Sequence, residues 1–433
     1  MTGRRWSVGW GLLRTMSGAP VTAVVSAGDL VTYLRPTGPR DPQLPPIDGL
    51  VHPDFVDVAV RFTGLFRHRD TGGAALAVRH HGEPVVDIWG GYRDLDAAVP
   101  WARDTMAMSF STTKGVAATV IHRLADRGLI DYDAPVAEHW PAFAGDGRDR
   151  ITVRQLLSHQ AGMHHCRSLV TDAEELLDHE HMIELAAKQR PSPPPGTAAG
   201  YHGLTFGWLL AGLARAVTGE DMRTLFAHEI AEPLGLDGLH LGCPDERRDR
   251  VAPLFPETPA MLRKTVAGRL VERVSPFRPF AEALLVEGFD RLWFEEEQRI
   301  LDTQMPAVNG VFTARALAKM YAALACRGEV DGVRFLTPET VHRAGKVQHR
   351  DRDRVLNIPM RWRLGYHQAF TLGLPPPEGF GHFGYGGSGA WADPETGVSV
   401  GFVTNRLWGS TTPIGDTRLA RLNAAVLAAV RAR

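Results

Sequence analysis

The chain has 433 residues, enough for two hydrophobic cores or for one domain carrying a large insertion. Hydrophobic residues make up 44% and charged residues 22%, which excludes wholesale disorder, a collagen-like repeat and a coiled coil. The 48 basic residues, only five of them lysine, nearly balance 49 acidic ones, so no general field draws the chain to nucleic acid or an anionic membrane.

In chain order, Arg4 and Arg5 precede the apolar run Trp6 to Leu13, which faintly imitates an export signal. Arg14 cuts that run short, and no stretch reaches the ~20 apolar residues that span a bilayer. Cys166, Cys243 and Cys326 are widely separated, which reads as free thiols in a reducing, cytoplasmic setting rather than a disulfide framework or a zinc site.

Residues 1–50, with Pro36, Pro39, Pro42, Pro45 and Pro46 closely spaced, read as an irregular N-terminal arm. Ala74 to Val78 and Val85 to Trp89 flank a polar turn at His81 to Pro84 and form a hairpin pattern. From Thr112, the residues Val116, Ala117, Val120, Ile121 and Leu124 recur at helical spacing, and Gly128 stands where the helix stops. Further helical stretches follow at 153–157, 174–189 and 204–217, between Pro-rich loops. Thr313 caps a helix running to Arg327, Gly397 to Thr404 reads as a buried strand, and Asp416 to Arg431 forms a last amphipathic helix.

Strands at both ends with helices between them predict an α/β (α+β) fold. The sheet subdomain takes residues 51–105 and 314–433, and a mainly helical subdomain takes 106–313. The site is expected at their seam.

Ser111-Thr112-Thr113-Lys114 lies where a loop enters the first long helix, so Ser111 and Lys114 share a face. A lysine whose pKa is depressed by burial can take the serine proton, and a helix N-terminus aims N–H groups at developing negative charge. Standing alone, a serine at a helix start is usually only an N-cap. Two further stretches keep it company: Pro194 to His202, containing Tyr201, and Gly381 to Gly389, containing His382-Phe383-Gly384.

In this order the three stretches resemble the motifs of the serine β-lactamase and penicillin-binding superfamily, most closely its class C-like branch with the family VIII carboxylesterases. Ile151-Thr152-Val153-Arg154-Gln155-Leu156-Leu157-Ser158-His159-Gln160-Ala161-Gly162 is similar to another stretch of that branch. The resemblance implies a β-lactamase/transpeptidase-like fold with an antiparallel sheet. It also implies acylation of Ser111, with Lys114 and Tyr201 as proton-handling partners and no metal or cofactor. Backbone N–H groups of Ser111 and Tyr385 are the implied oxyanion hole, and His382, Phe383, Gly384 and Asn309 the implied substrate contacts.

Two departures direct the substrate reading toward a small carboxylic ester. Gly203 stands where lactamases and peptidases of the superfamily carry an Asn or Ser that holds the substrate amide. His382 stands in place of a permanently charged lysine, and an unperturbed histidine is charged only below about pH 6.5. The same residues leave open a β-lactamase or D-Ala-D-Ala carboxypeptidase, acyl transfer to an alcohol acceptor, and an inactive binding scaffold. The oligomeric state is not set by the sequence. Ser388 in a near GxSxG pattern reads as a loop serine. His164-His165-Cys166 and His179-Glu180-His181 read as solvated faces rather than metal ligands, and His159 as a structural histidine.

Overall fold

The computed structural model describes residues 47–66, 72–255, 278–295, 297–407 and 416–433, and the backbone of strands at 13–14, 20–25 and 32–36. The Arg4 to Trp10 part of the export-like run and the Pro39 to Pro46 stretch lie outside the described residues.

The main sheet draws on both ends of the chain. Its N-terminal strands are β1 (Pro20–Val25), β2 (Thr32–Pro36), β3 (Ile47–Val51), β4 (Gly73–His80) and β5 (Glu83–Asp94). The β4–β5 hairpin turns on His81 and Gly82, at φ of 51° and 84°, the left-handed pair that a two-residue turn between twisted strands requires. Beyond the small seam strands β6 (Ala107–Met108), β7 (Leu239–Leu241) and β8 (Gly310–Phe312) come β9 (His367–Gln368), β10 (Phe380–Phe383), β11 (Gly389–Asp393) and β12 (Val398–Thr404). Across the sheet the order is β1-β2-β3-β5-β4-β12-β11-β10-β9, antiparallel throughout. Strands β1 and β2 fall in the stretch that proline spacing suggests is irregular. The runs Val21-Thr22-Ala23-Val24-Val25 and Thr32-Tyr33 are rich in residues that favour extended backbone, and the prolines follow them.

The alternation along β12 decides how the layers pack. Val398, Val400 and Phe402 join Leu76, Val78, Val86 and Ile88 in a core covered by α1 (Val56–Thr63) and the C-terminal helix α8 (Arg418–Ala432). The intervening Ser399 and Gly401 face α7 (Ala314–Ala325), and Ser399 Oγ donates to Ala318 O at 2.8 Å. A Cβ on Gly401 would lie 2.2 Å from Ala314 O, so only glycine admits the helix this close.

The second, larger core holds the helical part: α3 (Val153–Leu157), α4 (His179–Lys188) and α5 (Thr205–Thr218) contribute to it with α2 (Thr112–Asp126), while Ala283 of α6 (Arg278–Leu284) belongs to a smaller cluster. Helix α2 is buried on nearly every side, more than its apolar stripe suggests. Its polar residues are satisfied inside: Thr119 Oγ1 meets Tyr366 OH at 2.8 Å, and His122 reaches Tyr132 OH at 2.7 Å and Leu364 O at 3.0 Å. The helical stretch expected at 174–189 is two pieces, a 3-10 turn Ala173–Leu177 and α4. Asp178 separates them because its carboxylate accepts His181 N at 3.0 Å and caps the second piece. Among the described residues no helix is long and apolar enough to cross a membrane.

Gly401→Ala is expected to cost about 1–3 kcal/mol by overpacking β12 against α7. A lowered midpoint with an unchanged slope in urea unfolding checks this, and an unchanged midpoint would contradict it.

Candidate active site

Ser111 closes the turn between β6 and α2. Phe110, just before it, is held at φ +46°, a left-handed conformation that costs a non-glycine residue about 1–3 kcal/mol. Its surroundings hold it there. The Phe110 ring packs edge-on against Trp293 at 5.0 Å and Tyr385 at 5.7 Å, and Ser109 N donates to Gly310 O of β8 at 2.8 Å. The Ser111 side chain makes no capping bond to α2, contrary to the N-cap reading. Its Oγ accepts instead from Tyr201 OH at 2.9 Å and lies 2.9 Å from Lys114 Nζ.

Lys114 is fully buried, and burial pushes its pKa well below the ordinary 10.5, with no carboxylate among the described residues to offset the loss of water. Nζ donates to Ala307 O at 3.0 Å. A neutral amine has two N–H bonds and one lone pair, so the Ala307 carbonyl orients the lone pair for the Ser111 proton. Burial pushes the Tyr201 phenol up, only partly opposed by its bond to Ser111, and keeps it protonated. Its ring lies beside Trp362, parallel at 5.5 Å and 8°, and beside His382 at 6.1 Å, and those two rings are 6.5 Å from each other. A poised hydroxyl, an amine whose neutral form burial favours and a protonated phenol meeting on one oxygen can carry out acyl transfer.

A family profile described as Beta-lactamase matches residues 61–425. The chain belongs to the β-lactamase family. The esterase/beta-lactamase LipL of Mycobacterium tuberculosis is 48% identical over 373 residues, 83% of each chain. A penicillin-binding protein homolog from Caulobacter crescentus superposes with a TM-score of 0.77 at 35% identity, covering 89% of this chain and 100% of that one. A family VIII carboxylesterase superposes at 0.74 and 34% identity, with the same coverage. The protein is a hydrolase of the β-lactamase superfamily with that family's mixed fold.

Within this β-lactamase frame, the structure brings Ser111, Lys114, Tyr201, His382, Gly384 and Tyr385 together. His382 is buried, and its Nδ1 lies 3.1 Å from Phe383 O. Burial pushes its pKa well below 6.5, so the charge available to an unperturbed histidine is withheld. Gly384 packs so close that a Cβ would lie 2.2 Å from Ser109 O.

Two expected substrate contacts are corrected. Phe383 alternates to the opposite side of β10, where its ring packs against Phe370 at 5.4 Å and the core under α1 and α8. Asn309 does not face the site. Its Oδ1 accepts Met305 N at 2.8 Å, and its Nδ2 donates to Ile300 O at 2.7 Å and Thr303 O at 2.9 Å, so the amide is spent folding its own loop. That loop reaches the site through the Ala307 carbonyl instead of the Asn309 side chain.

The second motif's third position is also occupied from elsewhere. A Cβ on Gly203 would lie 2.3 Å from Leu284 Cδ2 and 3.1 Å from Ala283 O, so Leu284 of α6 fills the space an amide-holding side chain would need. Ser388 is a structural loop serine whose Oγ accepts Thr404 N at 3.1 Å. His165 bonds Glu282 at 3.1 Å and His179 bonds Gln304 O at 2.7 Å, and among the described residues no cluster could hold a metal ion. His159 Nδ1 accepts His202 N at 3.2 Å beside the Tyr201 ring.

Lys114→Met tests the neutral lysine. A buried amine with a lowered folded-state pKa binds fewer protons folded than unfolded, so wild-type stability should rise with pH between that pKa and 10.5. The slope relative to the Met variant should approach about 1.4 kcal/mol per pH unit, read from urea unfolding across that window. Parallel pH profiles would mean the amine is charged in the fold.

Proposed function

We propose that the protein hydrolyses carboxylic esters through an acyl-Ser111 intermediate. The carrying observation is that Leu284 occupies the volume beside Gly203, so an apolar wall stands where an amide anchor would be. Phe110, Trp293 and Tyr385 form a second apolar wall by mutual ring packing. Neutral His382 offers no fixed charge to a carboxylate. Neutral esters need neither anchor, and the names of the Mycobacterium tuberculosis relative and the family VIII neighbour support the same class.

In the acylation step Ser111 Oγ attacks the ester carbonyl while its proton passes to Lys114 Nζ. Ser111 and Tyr385 backbone N–H groups receive the oxyanion. Collapse expels the alkoxide, which takes the Tyr201 proton, and the Lys114 ammonium restores it. Water then attacks the acyl-enzyme along the reverse proton path and releases the acid. An acceptor alcohol in place of water would give acyl transfer. The relative's double name also supports a weaker β-lactamase activity at the same serine.

Ser111→Ala is expected to abolish ester turnover and fluorophosphonate labelling with little change in stability, because no capping bond is lost. Lys114→Ala and Tyr201→Phe should each slow acylation by orders of magnitude without adding in the double variant. Additive losses would mean that the two act independently.

Short-chain p-nitrophenyl esters should exceed nitrocefin in kcat/KM by about a thousandfold, since two unpaired polar anchors cost roughly 1–3 kcal/mol each. Acidification from about pH 7.5 to 6.5 should not raise nitrocefin turnover, because burial pushes the His382 pKa well below 6.5. Nitrocefin matching the best ester would overturn the ester assignment, and a rise on acidification would mean His382 charges.

A further inference from the structure

Ser111 and Lys114 sit on α2 in the large core, but Tyr201 does not share that anchorage. It belongs to a separate small cluster with Ala199, Ala283, Val355, Met360 and Trp362, against which Leu284, Leu356 and Phe370 pack. The distance from Tyr201 OH to Ser111 Oγ therefore depends on what fixes this cluster to the helix.

One side chain ties it together. Asp353 is fully buried, and its carboxylate accepts four N–H groups. Oδ1 takes Tyr201 N at 3.2 Å, Val355 N at 2.8 Å and Leu356 N at 2.8 Å, while Oδ2 takes Trp362 Nε1 at 2.9 Å. Arg354 N donates to Ala199 O at 3.0 Å, so the loop is also clipped to the chain two residues before the tyrosine. The indole held by Oδ2 is the ring that lies parallel to Tyr201. One oxygen thus fixes the tyrosine's backbone and the other fixes the platform that sets its ring plane.

We propose that Asp353 is the positioning residue of the active-site tyrosine, holding Tyr201 on Ser111 through the Tyr201 backbone and the Trp362 ring. The inference rests on the acyl-Ser111 reading, in which Tyr201 handles the leaving-group proton. Asp353 touches no reacting atom. No cation pairs with it among the described residues; N–H donors alone oppose the burial that raises its pKa. A carboxylate is needed because both oxygens must accept. An asparagine would present an NH2 group to one set of donors and break either the backbone bonds or the indole bond.

The test is a double-mutant cycle on p-nitrophenyl butyrate with the full chain. Asp353→Asn is expected to lower kcat on the order of a hundredfold, the loss that a misplacement of about 1 Å brings. KM should change less, since the apolar walls remain. In a Tyr201→Phe background the same substitution should cost less than about twofold, because the proton it positions is already gone. Trp362→Phe keeps the stacked ring and removes only the Nε1 donor, so it should give a smaller loss with the same dependence on Tyr201. It also supplies the cycle if Asp353→Asn does not fold. An equal loss in both backgrounds overturns the positioning role while leaving the acyl-enzyme reading intact. Full activity in Tyr201→Phe alone overturns the role of Tyr201 and this inference with it.

Discussion

A lysine amine buried beside Ser111, without a counter-charge among the described residues, is the constraint around which this structure is arranged. Removing water from Nζ depresses its pKa and so favours the neutral amine, the form that can accept a proton. The arrangement holds only while the helix that carries Lys114 is buried on almost all sides. Each surrounding layer contributes to that burial: α5 beneath, α7 and β10 at the sheet side, and the Ala307 loop above. Gly115 is part of the same requirement. A Cβ there would lie 2.2 Å from Tyr321 OH and 3.3 Å from His382 Cβ, so the residue beside the lysine must be glycine for α7 and β10 to close on α2.

The same desolvation sorts the other titratable groups. Tyr201 is kept protonated by burial and His382 Nδ1 lies against the Phe383 carbonyl, so of the three Lys114 is the group placed on Ser111 Oγ as a base. A site whose polar groups are neutral at rest suits an uncharged substrate. The apolar walls from Leu284 and from Phe110, Trp293 and Tyr385 follow the same logic. Hydrophobic packing around the reaction centre both lowers the lysine pKa and removes the anchors that an amide or carboxylate would need.

The sheet provides rigidity rather than chemistry. Alternating large and small residues on β12 let α7 approach one face while α1 and α8 cover the other. The third motif on β10 is then presented at a fixed height beside the start of α2. The left-handed Phe110 is tolerable because β8 and the Trp293 and Tyr385 rings hold both sides of its turn, and the serine side chain is thereby freed for Lys114 and Tyr201.

The sequence by itself determined the family, the fold class and the three motif positions, because these depend on local patterns. Helical periodicity placed α2, a hairpin pattern placed β4 and β5, a buried-strand run placed β12, and the Ser111-to-Lys114 spacing puts two side chains on one helical face. Tertiary structure alone decided what faces what. Asn309 lies in a turn that looks site-facing, yet its amide is consumed by its own loop. Phe383 points away by strand alternation, and His382 loses its expected charge to burial. Leu284 and Asp353 carry no motif, since each acts through a contact between segments far apart in the chain. Strands β1 and β2 were hidden by neighbouring prolines, whose effect on local backbone is strong but ends within a residue or two. Periodicity and spacing are properties of adjacent residues, whereas desolvation and side-chain occupancy of a shared volume are properties of the assembled core.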